Sequence, residues 1–164
     1  LALTDELVGA IVAVARAAKE NADLRIAAVT VLTSLDDSDL ASLGWSTERS
    51  VTDVALKLAR MAHAEGVTAF VCSVHEAANL RRELGPLAYL ITPGIRTAAD
   101  SAGDQKRVAT PAAAIREGAS LLVVGRPVRD AKDPRAAAEA IAREATEARS
   151  SMVESAPHPG RSPS

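Results

Sequence analysis

The chain has 164 residues, 48% of them hydrophobic and 24% charged, with a formal net charge of −2. That supplies one sizeable core and excludes a disordered composition. No apolar run approaches the ~18 residues of a membrane span, and a near-neutral chain lacks the basic face that nucleic acid requires.

The first residue is leucine, so the natural start and any targeting segment before it are left open. Thr4 is placed to cap a helix in which Leu7, Ile11, Val14 and Ala18 recur at helical spacing. "RIAAVTVL" (25–32) is a short, uniformly apolar, β-branched run and predicts a strand buried on both faces. Ser50 to Glu65 predicts a helix with Val51, Val54, Leu58 and Met61 on one stripe and Gly66 at its stop. "AFVCS" (69–73) is the second strand. It carries Cys72, the one cysteine, which rules out an internal disulfide and points to a reducing, cytoplasmic compartment.

Ser73 and Glu76 form an S-x-x-E capping box, opening a helix that stops at Gly85. "AYLIT" (88–92) is the third strand, followed by the long polar stretch "TPGIRTAADSAGDQKRV" (92–108). Thr110 with Pro111 starts the next helix, which Gly118 ends. "SLLVVG" (120–125) is the fourth strand. Asp133-Pro134 opens an alanine-rich helix reaching about Arg149. The boundaries expected are one partial barrel domain over 1–150 and a disordered polar tail over 151–164.

Four strand-helix units imply a parallel sheet with helical crossovers, either a doubly wound open sheet or part of an eight-stranded barrel. Polar and glycine residues gather after the strand ends, where both architectures bind ligands: Thr33-Ser34, Ser73, Gly94 to Arg96, and Gly125-Arg126. Two glycine-arginine loops after the last two strands favour the barrel, whose phosphate sites are often built there. A complete barrel takes about 250 residues, so four strands make half of one.

Glycine at 125 lets backbone approach a ligand closely, and the Arg126 fork suits phosphate oxygens. The plain alternative is an exposed Arg126 paired with Asp130 or Asp133. Arg96 reads the same two ways. Gln105 could bridge a ligand through its amide or hold loop backbone, and Thr33 could read a polar ligand edge or cap its turn. Asp36, Asp37 and Asp39 suit the first turn of a helix better than a metal. His63, His75 and His158 lack ligand spacing, so no metal site is expected.

Together "AVTVLTSL", "VCS.HEA", "TPGIR", "AGDQKRV.TP" and "GA..LVVGRPV" resemble the C-terminal half of orotidine 5′-phosphate decarboxylase of the bacterial type, over about Leu24 to Ile141. The resemblance implies an α/β fold, the C-terminal half of a (β/α)8 TIM barrel, its strands five to eight parallel with crossover helices. It implies removal of CO2 from orotidine monophosphate to give UMP, without metal or organic cofactor, and a homodimer in the complete protein. By motif, Thr33 would contact the pyrimidine edge and Arg96 would belong to the phosphate-side loop. Gln105 would ride a loop that closes over substrate, and Gly125 and Arg126 would bind the phosphate.

The family's catalytic Asp-x-Lys-x-x-Asp signature is absent. "DQKRVA" (104–109) lacks the second aspartate and "DAKDPR" (130–135) has the wrong spacing. No catalytic residue is therefore assigned, and the chain alone is predicted inactive. A non-catalytic phosphate- or nucleotide-binding half-barrel that self-associates through its open edges is the alternative. A sugar-phosphate decarboxylase or aldolase of the same superfamily is disfavoured, because "TPGIR…GDQ" resembles the pyrimidine branch.

Overall fold

In a computed structural model of the protein, the residues described are 10, 13–17, 20–21, 23–42, 50–97 and 109–154. Four strands, β1 (Ala27–Val29), β2 (Ala69–Val71), β3 (Tyr89–Thr92) and β4 (Leu121–Leu122), form one sheet in the order β1-β2-β3-β4, every pair parallel. Each strand lies beside its successor in sequence. Crossovers of one hand then put the connecting helices on one side of the sheet. A doubly wound sheet reverses its order part-way, and this one does not. The arrangement is a single-wound arc, which decides between the two architectures left open by the sequence.

The helices are α1 (Asp37–Ser42), α2 (Val51–Ala64), α3 (Val74–Leu84), α4 (Pro111–Arg116), α5 (Arg126–Arg129) and α6 (Pro134–Glu154), with residues 13–17 helical before β1. Their starts follow the expected caps. Ser50 Oγ accepts from Asp53 N at 3.2 Å while Asp53 accepts from Ser50 N at 3.1 Å. Ser73 N and Oγ both donate to Glu76, the amide at 2.9 Å. Thr110 Oγ1 accepts from Ala113 N at 3.2 Å with Pro111 opening α4, and Asp133 Oδ1 accepts from Ala136 N at 2.9 Å at the head of α6. Asp36 and Asp39 exchange hydrogen bonds at the start of α1, and Asp37 takes the amide of Val51 at 2.7 Å. The acidic cluster is a set of backbone caps.

Some boundaries differ from the sequence reading. The first and fourth strands pair over fewer residues than 25–32 and 120–125, because β1 and β4 are the edges and each has a ladder on one side only. Helix α6 continues through residue 154, past the boundary expected at 150; residues 155–164 lie outside those described. Thr4, Leu7, Ile11 and Ala18 also lie outside them. Val14, expected on the buried stripe, is exposed, and Ala15 is buried instead. Ala15 belongs to the same buried cluster as Ala59 and Ala62 of α2.

The two faces of the sheet differ sharply. Phe70 and Leu90 point into the helix layer and are fully buried with Leu80 and Ala77 of α3. On the other face Val29, Val71, Ile91 and Leu121 form one row across the sheet, and Ala27, Ala69 and Tyr89 the row below it. Val29, Tyr89, Leu121 and Val123 are 44 to 57% exposed, and Ala27, Ala69, Tyr89 and Ile91 line a cavity with Ala15, Leu24 and Leu87.

At the N-terminal end of the strands, Arg81 of α3 ties three segments together. Its Nη1 donates to the carbonyls of Gly85 (3.1 Å), Pro86 (3.0 Å) and Ala88 (2.6 Å). Its Nη2 donates to the carbonyl of Gly118 (2.8 Å) and to Ser120 Oγ (2.9 Å). Ser120 Oγ also accepts from Leu90 N, so the clamp reaches β3 directly. Gly118 has φ +98°, and a Cβ there would lie 3.2 Å from Arg81 Cβ. We expect Gly118→Ala to lower the thermal midpoint by several degrees, from a strained φ and a displaced Arg81 stem together; an unchanged midpoint would contradict this.

On the outer surface Arg60 Nε and Glu83 Oε1 pair at 2.7 Å between α2 and α3. The hydrogen bond from Arg60 holds the Glu83 carboxyl below its ordinary value. Whatever stability the pair contributes is present above the unfolded carboxylate value and lost as pH falls through the folded one. Being fully exposed, it contributes little.

Candidate functional site

Because all four strands run the same way, their C-terminal ends share one edge of the sheet, where ligands bind in such folds. Thr33 follows β1 in a turn closed by Leu35 N on the Leu32 carbonyl at 3.0 Å, and is half-buried there. One turn earlier Thr30 is satisfied inside the sheet, its Oγ1 on the Val71 carbonyl at 3.1 Å. Thr33 and the exposed Ser34 put hydroxyls at the rim. After β2, Ser73 is buried in its capping bonds with Glu76.

After β3 the chain turns at Gly94, whose φ of +80° only glycine adopts easily. Ile95 then pairs with Ala109, with Arg96 N on the Ala109 carbonyl at 3.0 Å and Ala109 N on the Gly94 carbonyl at 3.3 Å. This short parallel bridge closes the base of the long polar loop. It also buries Arg96, 8% exposed, with Nη1 on the Ile95 carbonyl at 3.2 Å. The sequence places Arg96 in a polar loop and could not show that burial. Gln105 lies outside the described residues.

After β4, Gly125 precedes the one-turn helix α5, which begins at Arg126. Of the two aspartates offered as partners for Arg126, both make other hydrogen bonds as well. Asp130 is held by Arg129 through two bonds of 2.6 and 2.9 Å, and Asp133 caps α6. The hydrogen bond from Arg129 is the main reason the Asp130 carboxyl lies below its ordinary value. Smaller contributions come from the charges of Arg129, Arg126 and Arg96. Arg96 and Arg126 follow adjacent strands, so two arginines stand on the edge where β3 and β4 end.

Gly125 itself is exposed, and a Cβ built there would meet no atom within 4 Å. Among the described residues packing does not demand glycine here, so we expect Gly125→Ala to melt like the parent chain; a lowered thermal midpoint would contradict this.

Among the described residues no group of three or more potential metal ligands occurs, and no helix is long and apolar enough to cross a membrane. The model of the orotidine 5′-phosphate decarboxylase / HUMPS family matches residues 7–141. The chain belongs to this family.

Within the orotidine 5′-phosphate decarboxylase family, the chain is 57% identical over 132 residues to the decarboxylase of Rhodopseudomonas palustris BisB5, covering 80% of this chain and 55% of that protein. It is 53% identical to that of Thermobifida fusca, covering 79% and 55%. The crystal structure of the decarboxylase from Lactobacillus acidophilus superposes with a TM-score of 0.59 at 36% identity, over 74% of this chain and 49% of the other. The chain spans about half the length of the curated relatives it matches. The four-stranded arc is accordingly half of a TIM barrel. Arg81, central to its lower end, carries no motif in the sequence; its partners are four carbonyls and a hydroxyl on two loops that only the fold brings together.

Proposed function

We propose that this chain forms the phosphate-holding half of orotidine 5′-phosphate decarboxylase, the enzyme that converts orotidine monophosphate to UMP and CO2. The observation that carries this reading is that Arg96 and Arg126 follow the adjacent parallel strands β3 and β4 at the same edge of the sheet, with Gly125 exposed beside them. Arg126 would take phosphate oxygens with its fork while the backbone at Gly125 lies against them. Thr33, in the turn after β1 at the far side of the arc, would meet the pyrimidine edge. Gln105 would reach the phosphate from the loop whose base the Ile95–Ala109 bridge fixes.

Binding at the phosphate can favour the transition state when loop closure couples it to the distant ring and expels water. Breaking the bond to CO2 leaves a carbanion that needs a proton. The signature lysine and aspartates are absent from this sequence. We therefore expect purified 164-residue protein to bind UMP and to leave orotidine monophosphate unconverted in a spectrophotometric assay. Turnover by the chain alone would overturn the assignment of roles. A cytoplasmic location, no role in nucleic-acid binding and a homodimer of complete barrels belong to the same proposal. Calorimetry with UMP separates it from any reading without a nucleotide, since absence of binding removes the phosphate site altogether.

A further inference from the structure

The long polar loop between β3 and α4 has two stems, one at Gly94 to Arg96 and one at Ala109. They meet in the bridge where Arg96 N donates to the Ala109 carbonyl at 3.0 Å and Ala109 N to the Gly94 carbonyl at 3.3 Å. Whatever holds Ala109 therefore holds the backbone of Arg96. Thr110 and Pro111 follow directly and open α4, a helix of six residues. A helix that short is not stable through its own hydrogen bonds. Its placement comes from what grips it.

At the head of α4, Thr110 Oγ1 accepts from Ala113 N at 3.2 Å, a bond within the same turn. The amide of Ala112 is taken from outside: Glu144 Oε1, on α6, accepts it at 3.0 Å. A carboxylate on a first-turn amide makes a charge-assisted bond and stands at the favourable end of the helix. Glu144 is half-buried and shares the stripe of α6 that carries the buried Ile141 and Ala148. That helix packs on α4, whose Pro111, Ala114 and Ile115 are buried. It packs also on α5, the one-turn helix that Arg126 opens. One helix thus carries both arginine loops. Arg126 connects to it along the chain, through α5 and the Asp133 cap. Arg96 connects to it through the Ala109 bridge, Thr110 and the bond from Ala112 to Glu144.

We propose that Glu144 is a positioning residue for the rim. Its bond to Ala112 holds the return stem of the polar loop on α6, and so sets where Arg96 stands relative to Arg126. It acts through the loop and not on the ligand. A ligand gripped from two loops binds best when their spacing is set beforehand, so a loosened stem costs affinity without removing a contact. The anchoring rests on the fold; that the ligand is a nucleotide phosphate rests on the function proposed above.

The test compares Glu144→Ala, Glu144→Gln and Glu147→Ala, an exposed site one turn on, in the 164-residue chain. Thermal melts check that each is folded at the temperature of measurement. Without ligand, hydrogen exchange at the Arg96 and Ala109 amides should quicken about 10-fold in Glu144→Ala and keep the parent rate in Glu147→Ala. UMP binding, read by calorimetry, should weaken about 10-fold in Glu144→Ala. Glu144→Gln keeps an oxygen that accepts from Ala112 and should restore most of both losses. In an Arg96→Ala chain, Glu144→Ala should add little, because its effect passes through Arg96; a role in stability alone would leave the two losses additive. Parent-like exchange at Arg96 and Ala109 in Glu144→Ala would overturn the inference, as would additive losses or a glutamine that restores nothing. A parent chain that binds no UMP counts against the decarboxylase reading instead, and exchange at the two stems then decides the anchor by itself.

Discussion

Arg126→Ala is expected to weaken UMP binding about 100-fold while leaving the thermal midpoint close to that of the parent chain. A bidentate pair between guanidinium and phosphate contributes about 3 kcal/mol through charge-assisted bonds, and each ~1.4 kcal/mol is a factor of ten. The side chain is only half-buried, at the start of a one-turn helix on the rim, so folding should tolerate its loss. Arg126→Lys keeps the charge and loses the fork, and should recover only part of the affinity. Arg96→Ala is less diagnostic, because Arg96 is buried against its own loop and its removal also disturbs that loop. Titration of UMP into the three proteins by calorimetry decides the matter. Arg126→Ala binding as tightly as the parent would remove Arg126 from the phosphate site.

The rim was legible in the sequence because the signals there are local. Gly94, Gly125 and the two arginines follow strands that announce themselves by β-branched apolar runs, and Ser50, Ser73 and Thr110 mark helix starts by their own side chains. The sheet order was not legible in period and composition, which do not distinguish a single-wound arc from a doubly wound sheet; the two glycine-arginine loops and the motif resemblance favoured the barrel instead. Nor was the burial of Arg96, which depends on Ile95 meeting Ala109 across the loop. The edge strands were overread for a physical reason. A run of apolar residues reports burial of side chains, whereas a ladder needs a neighbour's backbone, and β1 and β4 have one neighbour each. The exposed inner rows follow from the same fact, since residues chosen for a barrel interior look like core wherever the chain is read alone.

Arg81 shows what local reading misses, and its replacement should have the largest effect on stability. Arg81→Ala is expected to destabilise the chain by about 3–4 kcal/mol in urea denaturation, a large share of the ~5–15 kcal/mol typical of a domain. The guanidinium satisfies the carbonyl of Ala88 just before β3 and that of Gly118 just before β4, together with Ser120 Oγ. Ala88 is itself buried, so its carbonyl would be left without that donor in a place water reaches poorly. Arg81→Lys should restore little, since a compact ammonium with three donors cannot span the end of α3 and both strand entries at once. Arg60→Ala provides the comparison: its partner Glu83 is on the open surface, and its loss should leave the urea midpoint near that of the parent. If Arg81→Ala moved the midpoint no more than Arg60→Ala, the five bonds would be incidental. A large loss with UMP binding retained would place the clamp where the geometry puts it: at the end of the sheet opposite the site, holding the spacing of β3 and β4, and through them the two arginines, without touching the nucleotide.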